Sequence, residues 1–388
     1  MTLMKREHGK WKQVTQPLCF LIILFGIFGS IGYKMGMVNM LSTLMNTAYA
    51  LLLDTVFYIM AVAVVAGALS ALLSEFGVVT LINKLLSPLM KPLYGLPGAA
   101  SLGIMTTYLS DNPAILALAH DRGFRKYFKK YQLPALTNIG TAFGMGVIVT
   151  TSMLGIRSPV GESFLAAALI GNIGAVIGSI VSTRLMLLRT SKLFGKTEPC
   201  DELEGGQEEK ESKEEKKSLG MRVIDALMNG GKSGVSLGLD VIPGVLIICS
   251  LVLMLTNGAS ADGSYTGAAY EGVAFLPWVG DKLSFLLKPL FGFSSAEGIA
   301  VPITALGSAG AAIGLVPRLV AAGSAGACDV AVFTAMCMCW SGYLSTHVAM
   351  MDNLKCGKLT GHAILSHTIG GLCAGVAANW LYRLFLLL

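Results

Sequence analysis

Charged residues are scarce in this chain. Of its 388 residues only 13% are charged, whereas 54% are apolar; soluble proteins carry about a quarter charged residues. The mean hydropathy is +0.66. A soluble globule of this size has to cover its surface with polar groups, so this composition excludes a soluble enzyme and a disordered chain. It predicts an all-α polytopic membrane protein that is not an enzyme.

The sequence also lacks a disulfide framework and a nucleotide-binding motif. Five of its eight cysteines lie inside apolar runs, and Cys200 lies in a charged segment, which argues against structural disulfides. Gly230–Ser233 resembles the end of a phosphate-binding loop, but Ala226 stands where that loop requires glycine. We therefore predict no cofactor and no transport driven by ATP or GTP.

The basic residues stand in short clusters beside apolar runs, at residues 5–12 and 122–130. Lys and Arg concentrate in the cytoplasmic loops of membrane proteins. The net charge of +6 therefore indicates an orientation in the membrane, with a cytoplasmic N-terminus, and no nucleic-acid partner. No small-residue cleavage site follows the first apolar run. We interpret that run as the first span of a multi-pass protein of the bacterial plasma (inner) membrane.

Seven apolar runs are long enough to cross the hydrocarbon core, which takes about 20 residues. They are residues 17–35, 48–74, 133–155, 161–188, 235–256, 327–351 and 361–384. Two further runs, 98–119 and 293–320, are interrupted by Asp111-Asn112-Pro113 and by Gly307–Gly310, respectively. Each interrupted run follows an amphipathic segment.

The positive charges indicate how the first interrupted run lies in the membrane. If it crossed completely, the five basic residues of 120–132 would lie outside the cell. A re-entrant hairpin that turns at Asp111–Pro113 keeps them inside, as the positive-inside rule requires. Its arms of about ten residues are too short to cross separately. We therefore predict a hairpin, and a second one at Gly307–Gly310.

A charged segment divides the chain into two similar halves. Residues 190–218 carry nine acidic and six basic residues, a composition that cannot fold alone. On either side, Lys91–Gly95 is matched by Lys288–Gly292, and Asp54 by Asp240. When the spans are counted from a cytoplasmic N-terminus, the chain enters the first repeat from the outer side of the membrane and the second repeat from the cytoplasmic side. We therefore predict that the two repeats have opposite orientations in the membrane.

Inverted repeats with interrupted helices are typical of secondary transporters. The predicted parts are a cytoplasmic N-terminus with the first span (1–47), a first repeat (48–189), a cytoplasmic linker (190–218) and a second repeat (219–388). Each repeat has an amphipathic helix, a re-entrant hairpin and transmembrane spans.

Four segments carry a resemblance to a known domain: Leu85–Gly98, Tyr108–Pro113, Asp225–Pro243 and Lys288–Gly292. They resemble the Gate or nucleoside recognition domain of concentrative nucleoside transporters, ferrous-iron transporter B-type proteins and spore maturation proteins A and B. The chain looks most like a fusion of the two spore-maturation halves. By analogy with the nucleoside transporters, the resemblance implies a substrate held between hairpin tips and unwound helices.

Asp111 and Asn112 are the foremost candidates for a functional site. An ionised carboxylate inside a bilayer costs at least ~2.5–3.5 kcal/mol, so it persists where it faces a cavity or a partner. Backbone groups at a hairpin tip are also free to bind a ligand. The alternative is that Asp111 only caps the second arm, since Asp is a favoured N-cap residue. We predict a coupling ion or proton at Asp111 and substrate contact at Asn112.

Further candidates lie in the second hairpin and in the spans that follow each hairpin. The predicted substrate contacts are Asn138, Thr141, Ser308, Ser341 and Ser345. For most of these, helix packing or hydrogen bonding between helices is the alternative. Asp54 and Asp240 are candidates for the coupling ion or proton. Cys337 and Cys339 point in different directions on a helix, so we predict no metal site.

The function predicted from these features is secondary transport of a small polar solute, either nucleoside-like or of another class, coupled to H⁺ or Na⁺. Its partners would be that solute, the cation and the lipid bilayer, and the sequence allows a homo-oligomer. Two alternatives remain open: a permease for transition metals or other ions, and a non-transporting membrane scaffold of the spore-maturation type.

The topology can be tested with single cysteines at Gly123 and Gly205. Both should react with a membrane-impermeant thiol reagent only from the cytoplasmic side, because the hairpin keeps residues 120–132 on the same side as the linker. Labelling of position 123 from outside alone would rule out the hairpin and the inverted symmetry.

Overall fold

The computed structural model describes residues 2–388 other than 111, 113, 121, 201–217, 261 and 342; the side chains of residues 2–14, 116, 117, 120, 122, 123 and 344–346 are not described. Within this part of the chain the fold is built from helices. The β structure of the described residues consists of one isolated antiparallel bridge, between Lys129 and Pro199. The prediction of an all-α fold is confirmed.

Ten α-helices precede the linker in the described residues. They are α1 (Thr2–Met35), α2 (Met37–Leu51), α3 (Phe57–Glu75), α4 (Val78–Leu89), α5 (Ala100–Leu109), α6 (Ala114–His120), α7 (Arg122–Arg125), α8 (Ala135–Phe143), α9 (Gly146–Leu154) and α10 (Leu165–Phe194). Wider π-helical turns, Leu52–Val56 and Met90–Tyr94, connect α2 to α3 and extend α4.

Nine α-helices follow the linker in the part that the structure describes. They are α11 (Leu219–Asp240), α12 (Ser250–Thr256), α13 (Phe275–Lys282), α14 (Ser284–Phe291), α15 (Ala300–Gly307), α16 (Ala309–Ala321), α17 (Ala327–Cys339), α18 (Tyr343–Asn353) and α19 (Thr360–Phe385). A π-helical turn, Gly244–Cys249, precedes α12.

Five helical stretches are long and apolar enough to cross a membrane. They are Thr15–Met35, Met37–Glu75, Leu165–Phe194, Leu219–Thr256 and Gly357–Phe385. In α1, Ile22 and Phe25 are 65% and 68% exposed, as expected for side chains that face lipid. The chain is a multi-pass membrane protein.

Two runs predicted as whole spans, 133–155 and 327–351, are each broken into two short helices. The first breaks at Gly144, which is extended (φ −58°, ψ 139°), and Met145, which is left-handed (φ 58°). The second breaks between Cys339 and Tyr343. A nine-residue helix such as α8 rises only about 13 Å, so neither half could cross a bilayer alone. Sequence hydropathy missed these breaks because both sides of each are apolar.

The two interrupted runs turn where the sequence predicts. Helices α5 and α6 pack against each other, with Ile115 filling the space beside Gly103. Helices α15 and α16 meet at Ser308, whose side chain caps α16 by accepting a hydrogen bond from the Ala311 N–H at 3.2 Å. Asp111 and Pro113, at the first turn, lie outside the described residues.

A glycine seam joins α3 to α11. A Cβ atom on Gly230 would lie 2.3 Å from the Gly67 carbonyl oxygen, and one on Gly234 would lie 2.4 Å from the Ala63 carbonyl oxygen. Only glycine permits so close an approach of two backbones. Arg222 pairs with Glu75 at 2.6 Å, which places the start of α11 beside the end of α3. The two helices are therefore antiparallel.

We call the side of the molecule with this ion pair the linker end, because the charged linker leads into α11 there. The opposite side, where residues 257–274 lie, is the loop end.

A second glycine seam joins α10 to α19. A Cβ atom on Gly178 would lie 2.4 Å from the Gly370 carbonyl oxygen, and one on Gly174 would lie 2.8 Å from the carbonyl oxygen of Ala374. As residue numbers fall along one helix they rise along the other, so these helices are also antiparallel. Each pairing joins one helix of the first half to one helix of the second half; the inverted repeat stays a prediction.

The repeated motif Lys-Pro-Leu-aromatic-Gly packs in the same way in both halves. Gly95 and Gly292 each take a left-handed conformation, with φ of 74° and 67°. Arg184 of α10 donates a hydrogen bond to the carbonyl of Leu93 at 2.8 Å. Asn379 of α19 donates one to the carbonyl of Leu290 at 3.0 Å. The motif of the first half thus packs against α10, and the motif of the second half packs against α19.

Described residues of the segment 257–274 (all but 261) surround Glu271, a carboxylate that is 4% exposed. It accepts hydrogen bonds from the hydroxyls of Ser260 at 2.6 Å and Thr266 at 2.7 Å and from the Gly267 N–H at 3.0 Å. Burial alone would raise the pKa of Glu271, but these hydrogen bonds outweigh it and lower the pKa to about 2. The stability that they add is present above the ordinary pKa of Glu and is lost as the pH falls toward 2.

The α3–α11 seam can be tested with a matched pair of glycine variants. Gly234→Ala should lower the melting temperature of the purified protein, because its Cβ would press on the Ala63 carbonyl and cost about 1–3 kcal/mol. Gly231→Ala is the control, since its Cβ meets only the Val64 side chain at 3.7 Å. Equal melting temperatures for the two variants would contradict the close seam.

Candidate functional site

Three interruptions of the helical fold meet at one buried point. The Asn112 Nδ2 of the first hairpin donates a hydrogen bond to the Ser341 carbonyl, between α17 and α18, at 3.0 Å. Gly144, between α8 and α9, lies beside both: a Cβ there would be 1.5 Å from the Asn112 Oδ1 and 3.0 Å from the Ser341 Oγ. We call Asn112, Gly144 and Ser341 the tip junction.

The tip junction is polar although it is buried. Asn112 is 3% exposed and Ser341 is fully buried. The Ser341 Oγ has no hydrogen-bond partner among the described residues. Helix ends leave backbone N–H and C=O groups without partners in their own helix, and α8, α9, α17 and α18 all end or begin here. The junction therefore brings a hydroxyl without a partner and four helix ends together inside the described part of the protein.

Gly144 is the residue of this site that sequence reasoning missed. In sequence, Gly140 and Gly144 have the spacing of a small-residue helix-packing motif. Its contact with Asn112 leaves no room for a side chain. Its position six residues after Asn138, in a run that also carries Thr141, is the signal that could have drawn attention to a polar break.

Asn138 and Thr141 lie in a buried polar network behind the junction. Both donor hydrogens of the Asn138 amide are used, one on the Ser182 Oγ at 2.7 Å and one on the Ala363 carbonyl at 3.2 Å. The Ser182 Oγ lies 2.9 Å from the His367 Nδ1. The Thr141 Oγ1 lies 3.5 Å from the His347 Nε2. Direct substrate contact by these two residues stays a prediction, and their observed role is to join α8 to α10, α18 and α19.

The two histidines were not singled out by sequence reasoning. Their ring centroids are 4.7 Å apart, and both rings are fully buried. The His367 Nε2 contacts the Cys339 carbonyl, at the end of α17. The His347 Nδ1 lies 3.0 Å from the Tyr343 carbonyl. The polar network therefore contacts the end of α17 and the start of α18, the two helix ends on either side of Ser341.

The second hairpin reaches this core at a different point. Helix α15 packs against α17 and α18, but Ser308 lies against Gly244, where a Cβ would be 2.5 Å from its Oγ. In the described part of the chain no hydrogen bond joins Ser308 to Asn112. The side chain of Ser345 is not described, so its assignment stays a prediction, as does that of Asp111.

Asp54 and Asp240 are both exposed and lie in two separate cavities. Asp240 lies in a cavity of about 690 Å³ between α3, α11 and the first hairpin, whose tip residues Ser110 and Ala114 line it. We call it the linker-end cavity. Asp54 lies in a second cavity, of about 450 Å³, beside α16 and the end of α9. We call that one the loop-end cavity.

The two cavities lie at different heights along α3. Along α3 the loop-end cavity ends at Ile59 and the linker-end cavity begins at Ala63. These four residues correspond to about 6 Å along the helix axis. In the described residues no group of three or more His, Cys, Asp or Glu side chains is close enough to hold a metal ion.

No protein-family model matches the sequence, and no curated protein matches it. Solved structures do match. A double variant of CNTnw in an outward-facing state is 15% identical, with a TM-score of 0.54, over 98% of this chain and 87% of that chain. CNTnw in an inward-facing, substrate-bound state is 14% identical, with a TM-score of 0.54, over 97% and 86%.

CNTnw is a concentrative nucleoside transporter. The chain has the fold of these transporter structures. The part of the sequence resemblance that concerns this fold is thereby confirmed. The Gate domain and the spore-maturation halves stay predictions, because an identity near 15% shows the fold alone.

The network behind the junction can be tested by truncating its central amide. Asn138→Ala should lower the melting temperature of the ligand-free protein, because buried partners lose their hydrogen bonds at a cost of about 1–3 kcal/mol. Asn353→Ala, which truncates an exposed amide at the end of α18, is the control. An unchanged melting temperature for Asn138→Ala would contradict the structural role.

Proposed function

We propose that the protein is a secondary transporter of a small polar solute, which binds at the tip junction. The observation that carries the proposal is the convergence of a hairpin tip with two broken helices at Asn112, Gly144 and Ser341. Transporters bind substrates at discontinuous helices because the freed backbone groups can take over the hydrogen bonds of the solute. The buried Ser341 hydroxyl adds a side-chain group with spare hydrogen-bonding capacity.

The cavities supply routes to the junction. Ser110 and Ala114 flank the tip of the first hairpin, and both line the linker-end cavity. A solute at Asn112 would therefore leave toward the linker end. The loop-end cavity ends about 6 Å farther along α3, at Ile59, and we infer that it belongs to the route toward the other side of the membrane.

Alternating access requires one part of the protein to move against another. The glycine seams divide the helices into an α3–α11 pair and a block around the α10–α19 pair, and both cavities lie beside α3. We infer that the helices packed around the α10–α19 pair move together with the tip junction, relative to the α3–α11 pair. CNTnw has been solved in outward-facing and inward-facing states, which supports such a movement for this fold.

The coupling ion is H⁺ or Na⁺ in this proposal. Asp240 lines the linker-end cavity together with the hairpin residues Ser110 and Ala114. It is therefore the candidate acid beside the proposed route of the solute. Asp54 lies in the other cavity, beside two arginines, where its charge has basic neighbours. Asp111 remains a candidate from the sequence, adjacent to Asn112.

The site is tested by a ligand screen on the purified protein. Nucleosides, amino acids, vitamins and divalent metals are added singly, with Na⁺ and pH varied, and the melting temperature is followed, because a ligand stabilises the folded state that it binds. One polar solute class should raise the melting temperature. A response to divalent metals alone would favour the ion permease, and no response to any compound would favour the scaffold.

The solute found in this screen then tests the junction. Ser341→Ala should weaken its binding about tenfold, as expected for one lost hydrogen bond of about 1–1.5 kcal/mol. Asn353→Ala is the control outside the site. Unaltered affinity in Ser341→Ala, together with unaltered uptake into proteoliposomes, would place the solute elsewhere.

A further inference from the structure

The loop-end cavity contains an excess of positive charge. Its charged lining residues are Arg157, Arg318 and Asp54, so two guanidinium groups lie near one carboxylate and the net charge is +1. All three are exposed, and within the described part of the chain neither arginine forms a salt bridge with an acid. The cavity is therefore accessible from outside the protein, and its lining carries one more positive than negative charge.

A buried hydroxyl also lines this cavity. Ser152 of α9 is 1% exposed, and its Oγ has no hydrogen-bond partner among the described residues. A buried polar group without a partner costs about 1–3 kcal/mol. The Ser152 Oγ shares its cavity with two guanidinium groups. A bound acceptor would satisfy it.

The walls of the cavity are closely packed around these groups. A Cβ on Gly314 would lie 2.2 Å from the Thr55 Cγ2, and a Cβ on Gly155 would lie 2.6 Å from the Tyr58 hydroxyl. These contacts join α16 and the end of α9 to the start of α3. They bring side chains from both halves of the sequence to one place without filling the space between them.

Tyr270 completes the cavity from the loop of residues 257–274. The Arg318 guanidinium lies over its ring, 3.2 Å from the centroid. Such stacking leaves the in-plane N–H donors of an arginine available for a planar anion. Tyr270 has a φ of 70°, an unfavourable conformation for an aromatic residue, and its N–H is held by the Thr47 Oγ1 at 2.8 Å. Strained residues of this kind cluster at functional sites.

We propose that the loop-end cavity is a binding site for a small oxyanion, a carboxylate or a phosphate group with one net negative charge. Arg157 and Arg318 donate to its oxygens, as guanidinium groups do to carboxylates and phosphates. Ser152 donates its hydroxyl hydrogen. Asp54 accepts a hydroxyl or ammonium hydrogen from the rest of the ligand. The volume of about 450 Å³ is within the range of small-molecule sites.

The anion can come from a dissolved molecule or from the head group of a lipid, because the cavity belongs to a membrane protein and opens at one end. Both sources present the same phosphate or carboxylate chemistry. The proposal does not depend on transport, since the tip junction and this cavity share no residue.

The test uses the purified full-length protein in detergent, at an ionic strength kept constant with sodium chloride. Inorganic phosphate and acetate are titrated, and the melting temperature is followed. At least one of them should raise it saturably. Arg318→Gln should weaken this response about tenfold or more, and Arg318→Lys, which keeps the charge but loses the planar donors, should recover only part of it.

Two further variants separate binding from folding. Ser152→Ala should leave the ligand-free melting temperature unchanged or raise it, because it removes an unpartnered hydroxyl, and should weaken the response to phosphate or acetate. Arg189→Gln removes an exposed guanidinium of α10 that does not line the cavity, and should respond like the wild type.

Lipid is tested in nanodiscs of phosphatidylcholine with and without phosphatidylglycerol. Stabilisation by phosphatidylglycerol that Arg318→Gln abolishes would support the site and identify the head group as its ligand. The proposal is overturned if Arg318→Gln and Ser152→Ala respond like the wild type. It is overturned equally if phosphate, acetate and phosphatidylglycerol all leave the wild-type melting temperature unchanged.

Discussion

Inside a bilayer every backbone N–H and C=O group needs a partner within the protein, because hydrocarbon offers none. An uninterrupted helix meets this requirement locally. A broken helix meets it only where other parts of the protein supply hydrogen bonds. The breaks at Gly144 and at Ser341 accordingly lie in the interior, where Asn112 donates to the Ser341 carbonyl. Because the backbone groups at these two breaks need hydrogen-bond partners, the breaks lie together in the interior. Their polar groups form a polar site inside an otherwise apolar protein.

Close helix packing determines where solvent can reach this site. Glycine lets α3 approach α11, and α10 approach α19, to backbone contact. Each pair is thereby closely packed, and α3 lines both cavities, the linker-end cavity together with α11 and the first hairpin, and the loop-end cavity together with α16 and the end of α9. The network of Asn138, Ser182 and His367 adds hydrogen bonds inside the block that contains the junction. The proposed alternating access would move this block relative to the α3–α11 pair.

The polar residues of the site were largely predictable, and their roles were not. Asn112 and Ser341 stand out in sequence as polar groups in apolar runs. Asn138 stands out in the same way, but its amide is engaged by Ser182 and Ala363, which are 44 and 225 residues away in sequence. Gly144 carries no polar side chain, and its contact with Asn112, 32 residues away in sequence, exists only in the folded protein. Arg157 and Arg318 are single charges near the ends of apolar runs until the fold brings them to one cavity.

The sequence by itself determined that this is an all-α membrane protein, and it located five long apolar helices and the two interrupted runs. These features follow from local quantities: the length of an apolar run, the residues that interrupt it, and the placement of Lys and Arg. Tertiary structure alone decided which interruptions meet, that two apparent spans are broken, and that Asp54 and Asp240 line different cavities. Those outcomes depend on contacts between residues distant in sequence, and hydropathy contains no information about which apolar helix will pack against which.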